Sequence, residues 1–251
     1  MRRGKNKNPQ VVLLRVGVDA GEGGIQGPRF QDGTFYYLPI PDCRKKNNRV
    51  TYGNTKGRHG RLLCDYWPER RREHYRKQAI HCDPEFTTFT YGDPTIPKQS
   101  LQELQPGDLL VFYAGLQPWS EERGFHGDPH LYIIGYFVVR LAGHAVALFK
   151  QYSRREVKRI FSNCPHLARG AHRRKKLILI QGTSASRLLA RASRLSEYGK
   201  DRNGNQLKVL HRDLKKYFGN FTDTNSLQRS PPRWVSDAFC KRAYSYVMKL
   251  R

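Results

Sequence analysis

The chain is short of negative charge: its 251 residues hold 21 Asp and Glu against 46 Lys and Arg, a formal net charge of +25. Self-repulsion at that charge opposes compaction, so a polyanionic partner is implied, with nucleic acid first and DNA ahead of RNA. Long hydrophobic runs are missing as well. No apolar stretch reaches the roughly 18 residues of a membrane-crossing helix, and no membrane partner is expected. Cysteine is sparse and scattered. Cys43, Cys64, Cys82, Cys164 and Cys240 include no Cys-x-x-Cys pair, which argues against a disulfide scaffold and a zinc ribbon. No repeat, helix-turn-helix, zinc finger or standard RNA-binding signature is evident, so sequence-specific readout is not supported.

What charge there is lies in blocks. Arg44–Lys77 holds twelve basic and three acidic residues, and Arg154–Lys176 holds nine and one. Between them, Ile80–Glu122 holds seven acidic residues and only Lys98. A merely solubilising charge would be mixed more evenly. The runs Arg70-Arg71-Arg72 and Arg173-Arg174-Lys175-Lys176 fit contact with a phosphate backbone, which brings affinity with a steep salt dependence.

The apolar content is ample for a core: 38% of residues are hydrophobic and 12% aromatic. A basic start without a secretory cleavage pattern reads as a flexible arm over residues 1–10, before a single cytoplasmic domain over 11–251. Val11–Val18 predicts a strand, and Asp32-Gly33 a hairpin turn. Pro68–Gln78 predicts a short helix. Pro106-Gly107-Asp108 predicts a turn into a buried strand. Tyr132–Val139 and His144–Phe149 read as a hairpin around Ala142-Gly143. Leu177–Ile180 predicts a buried strand, followed by a helix with Leu188, Leu189, Ala192 and Leu195 on one face. A last helix is expected from Ser230-Pro231-Pro232. The expectation is one mixed α/β or α+β domain with a mixed sheet and flanking helices.

Candidate sites follow from residue chemistry. Asp19 closes the first strand, where carboxylates often act, but could equally cap its own loop. The glycines after it match neither a dinucleotide fingerprint nor a P-loop. His81-x-Asp83-Pro84 lies in the acidic middle. With Asp19, and with Asp108, His130 or His166, it could build a metal or acid–base site. Cys164-Pro165-His166 and His81-Cys82 could also meet around a metal, although their spacing fits no known zinc module. Thr183, Ser184, Ser186 and Arg187 read as an anion site at a helix N-terminus, or as an ordinary cap. Tyr113 and Tyr136 could line a cleft for a flipped base, with Asp223 and Asn225 on a polar loop near it. The sequence identifies no metal and no cofactor.

Several motifs in order carry a resemblance. They are Leu14–Pro28 with Asp32-Gly33, Leu38-Pro-Ile-Pro-Asp42, His81-x-Asp83-Pro84, Pro106–Gly115, Ile133–Phe137, Ser186–Ala192 and Ser226–Trp234. Together they resemble the nucleotide-modification-associated domain 3 family across nearly the whole chain. The resemblance implies a nucleic-acid-directed role in a prokaryotic or viral setting, in DNA base modification or modified-base recognition. It draws attention to Asp19, His81 and Asp83 as catalytic residues. Pro-Gly-Asp before a strand, followed by Ile-Gly-Tyr-Phe, is similar to modified-base readers of the PUA and EVE type, which would imply a barrel portion. The alternatives are a metal-dependent nuclease or base-modifying enzyme, and an RNA-binding or ribosome-associated component, with a modification complex or a ribonucleoprotein as the larger partner.

Overall fold

A computed structural model describes residues 8–19, 21, 24–42, 50–57, 59–168, 175–221, 226–227 and 231–251. Its centre is the run Val11–Arg15, strand β1, whose first four side chains are fully buried. Such a continuous apolar run suits a strand covered on both faces, and β1 indeed pairs parallel to the long strand Leu109–Ser120. Numbered in chain order, the strands before the latter are β2 (Gly27–Arg29), β3 (Ile40–Pro41), β4 (Ile80–His81) and β5 (Thr90–Asp93). Leu109–Ser120 is β6. Then come β7 (Gly124–Phe125), β8 (His130–His144), β9 (Ile178–Gly182) and β10 (Arg187–Arg194). The last are β11 (Ser196–Lys200), β12 (Gln206–Leu210) and β13 (Arg233–Trp234).

The main sheet runs β13-β1-β6-β8-β9-β5, with β2 and β7 on β6 and β10 on β8. It mixes parallel and antiparallel pairs, so the fold is α+β with a mixed sheet. Among the described residues that path stays open between β13 and β5, and no closed barrel of the PUA kind is found. Helix α5 (Asp237–Val247) buries Cys240, Ala243 and Val247 in the same core. It starts after Ser236 rather than at Pro231-Pro232, because Arg233 and Trp234 are taken by strand pairing with Leu13 and Val12. A second core gathers beneath α2 (Ala145–Gln151), α3 (Arg154–Ile160) and α4 (Pro165–Ala168). A third, with Tyr52, Trp67 and Leu38, supports α1 (Glu69–Arg76) and the small β3–β4 pair.

Two expectations about local structure are overturned. No hairpin forms at Ala142-Gly143: β8 runs straight through, pairing Ala142 with Ile180 and Gly143 with Leu179, and then becomes α2. The stretch after Gly182 is strand, not helix. β9 and β10 lie end to end along β8, joined where Thr183 N–H donates to Val138 O and Val138 N–H donates to Ser186 Oγ. A register shift between Leu188 and Ser193 explains the misreading. The bulge breaks the alternation of a strand, and the apolar residues that remain on the core side fall at helix-like intervals.

A candidate metal centre

The strand pair β3–β4 puts Ile40 opposite His81, and the chain leaves β4 through Cys82, Asp83 and a cis Asp83–Pro84 bond. Asp83 is 9% exposed. Its carboxylate oxygens accept the Gly92 N–H of β5 at 3.1 and 3.2 Å, and Tyr37 Oη donates to its carbonyl at 2.9 Å. Gly92 matters for a second reason: a Cβ there would lie 2.7 Å from Cys164 Sγ. Only a glycine lets the segment leading into α4 settle on β5, and that segment carries His166 to Asp83.

The result is a compact trio. His81 Nε2 lies 3.1 Å from His166 Nε2, His166 Nε2 lies 3.5 Å from Asp83 Oδ2, and His81 Nε2 lies 3.9 Å from the same oxygen. A point equidistant from all three atoms falls about 2 Å from each, the length of a metal–imidazole or metal–carboxylate bond. Behind His81, Asp42 Oδ2 stands 3.8 Å from Nδ1, where a carboxylate can orient a ligating imidazole. Burial holds the Asp83 carboxyl well above the usual carboxylate range; the Gly92 amide opposes this, while Asp93 and Glu85 reinforce it. A nearby cation would reverse that balance and favour the ionised ligand.

Among the described residues no cysteine joins the trio. Burial pushes the Cys82 thiol up to about 11 and the Cys164 thiol up to about 12. His166 also lines a cavity of about 600 Å³ together with Ile40, Asp93, Pro94, Thr95, Lys175 and Lys176. Two of the predicted phosphate-contacting residues thus border the same cavity as a metal-ligand candidate.

The other sequence candidates lie elsewhere. Asp19 pairs with Arg15 at 3.1 Å and accepts the Gly21 N–H, outside the trio. Asp108 accepts the backbone N–H groups of Gln10 and Gln105 and so closes a turn. His130 packs at a tilt against Tyr198 beside Arg194, and burial with that arginine lowers its pKa. Thr183, Ser184, Ser186 and Arg187 form no helix N-terminus. The Thr183 and Ser186 amides are both used within the protein, and Ser186 is buried. Tyr113 is a core residue donating to Leu227 O. Tyr136 is equally buried, with Arg187 over its ring at 6.0 Å, so neither tyrosine presents a face to a base. Arg70 and Arg71 are exposed on α1, whereas Arg72 is half-buried near Asp65. Arg173, Arg174, Asp223 and Asn225 lie outside the described residues.

Sequence reasoning named His166 only as one of several companions for His81 and overlooked Asp42. The available signal was the Pro-Ile-Pro-Asp42 motif, which strand pairing sets beside His81.

The description nucleotide modification associated domain 3 matches residues 10–248. The chain belongs to that family. Neither the curated proteins nor the solved structures include a match to it.

Proposed function

We propose that the protein is a metal-dependent enzyme of nucleotide modification, acting on a phosphate-bearing nucleotide or nucleic acid. One observation carries the reading: three potential ligands, two imidazoles and a carboxylate, are spaced for one divalent transition-metal ion at the edge of a cavity bordered by two lysines. Three ligands among the described residues, with no fourth found among them, match the catalytic pattern in which one coordination position stays open for water or substrate. In this reading His81, Asp83 and His166 hold the ion, and Asp42 orients His81. Lys175 and Lys176 neutralise substrate phosphate at the cavity mouth, and the exposed bases of α1 and α3 attach the polyanion. Asp19 is a loop-bracing residue and takes no part.

The test is turnover of nucleotides and oligonucleotides by metal-stripped protein, before and after adding Zn²⁺, Mn²⁺ or Fe²⁺. Activity restored by one of these ions in the wild type, and not in His166→Ala, is the expected result. Undiminished turnover by the stripped protein would reject a metal role.

A second reading, attachment to nucleic acid without turnover, draws on the exposed Arg70 and Arg71 of α1 and Arg154, Arg155, Lys158 and Arg159 of α3. Salt-dependent binding with no product from any substrate would favour it.

A further inference from the structure

The end of β1 assembles an excess of buried positive charge that the metal centre does not use. Arg15 is the last residue of β1 and pairs with Tyr113 of β6, while Arg233 of β13 pairs with Leu13, two residues earlier on β1. Paired residues share a face, and so do residues two apart on a strand. Arg15, Arg233 and Tyr113 therefore project from the same side of the sheet. The segment Ser226-Leu227 lies over them, accepting from Tyr113 Oη and from Arg233 Nη2. Leu227 N–H in turn donates to the carbonyl of Lys208 on β12, which brings a third cation to the group.

Lys208 and Arg233 are buried beyond what their partners among the described residues explain. Lys208 is 7% exposed and Arg233 6%. The Lys208 ammonium makes no hydrogen bond or ion pair with any described residue. Arg15 repels it, while Asp19 and Asp128 attract it from beyond ion-pair distance. Arg233 Nε is buried without a hydrogen-bond partner. Arg15 alone has a carboxylate in contact, Asp19 at 3.1 Å. Burial lowers the Lys208 pKa and Arg15 adds to that, which is the response of an ammonium with no counter-ion in contact among the described residues. A largely buried cation without a counter-ion is costly, and an ionised oxygen ligand would relieve the cost at Lys208 and at Arg233 Nε together.

We propose that Arg15, Lys208 and Arg233 form a binding site for a phosphate group. It shares no residue with the His81–Asp83–His166 trio and stands whether or not that trio holds a metal. The phosphate could belong to a free nucleotide or to the backbone of a strand.

The test titrates three probes into the full chain: inorganic phosphate, a deoxynucleoside 5′-monophosphate, and an oligodeoxynucleotide without terminal phosphates. Calorimetry and thermal melting are read for the wild type, Lys208→Met, Arg233→Met and Asp83→Asn. Saturable binding is expected in the wild type and Asp83→Asn, weakened at least tenfold in Lys208→Met. The ligand-free Lys208→Met protein should melt no lower than the wild type, because it gives up a charge on a largely buried side chain that has no partner among the described residues. Tighter binding of the monophosphate supports a nucleotide site, and tighter binding of the oligonucleotide a strand site. Absence of saturable binding by every probe, or unchanged affinity in Lys208→Met, would overturn the proposal. Arg233→Met is a second arm, and the Lys208 variant decides the matter if Arg233→Met fails to fold.

Discussion

Replacing Asp83 with asparagine separates the metal role of this residue from its structural one. In the metal-free protein burial favours the neutral carboxyl. A carboxyl whose folded pKa is raised stabilises the fold fully below its unfolded value, near 3.9, and loses that contribution as pH climbs through the folded value. Asparagine retains an acceptor for the Gly92 N–H and has no proton to lose. Metal-free Asp83→Asn should therefore resist rising pH better than the metal-free wild type. With metal the order reverses, because only the carboxylate can ionise and bind. An ion present at a hundredfold its Kd adds about 2.7 kcal/mol to the folded state. For a domain of this size about 2–4 °C corresponds to each kcal/mol, so the wild-type melting temperature should rise by about 5–11 °C. Thermal melts at pH 6 and pH 8, with and without Zn²⁺ or Mn²⁺, read all four conditions. The variant should show little or no metal-induced rise, and the wild-type rise should be larger at pH 8, where ligand protons leave more easily. An equal rise in Asp83→Asn would refute the ligand assignment.

Other consequences are simpler. Arg70→Ala with Arg71→Ala should flatten the salt dependence of DNA binding, lowering the log–log slope by about one for each backbone phosphate the protein no longer neutralises, as measured by fluorescence titration. Ser186→Ala leaves the Val138 amide without its acceptor at the β9–β10 junction and should cost about 1–3 kcal/mol in denaturant melts. Gly135→Ala would place a Cβ 2.6 Å from the Phe86 ring and 2.7 Å from the Arg187 carbonyl. The ring can give way but the backbone cannot, so a loss of about 1–3 kcal/mol is expected in the same assay.

Much of the scaffold was legible because its signals are local. Val11–Leu14 is apolar at every position, and Pro106-Gly107-Asp108 turns with Gly107 at φ +90° before the buried β6. Helix α1 occupies Glu69–Arg76 within the expected range. What failed depends on partners distant in sequence. Arg187–Arg194 is a strand because it borders β8, and its bulge disguises the alternation. Tyr113 and Tyr136 read as base-binding aromatics, yet the sheet that carries them is covered on both sides. At the candidate site the sequence singles out His81 and Asp83 together with Asp19, which the structure instead pairs with Arg15. The union of His81 and Asp83 with His166 depends on Gly92 admitting the approach of Cys164, a packing relation that no local pattern reveals.

The central claim is that His81, Asp83 and His166 bind one metal ion, and metal content is its most direct test. Elemental mass spectrometry on metal-stripped protein, reloaded with a divalent transition metal and desalted, should give one equivalent per chain. His81→Ala and His166→Ala, folded by circular dichroism, should retain almost none. Equal loading of the variants, or no retained metal in the wild type, would contradict the account.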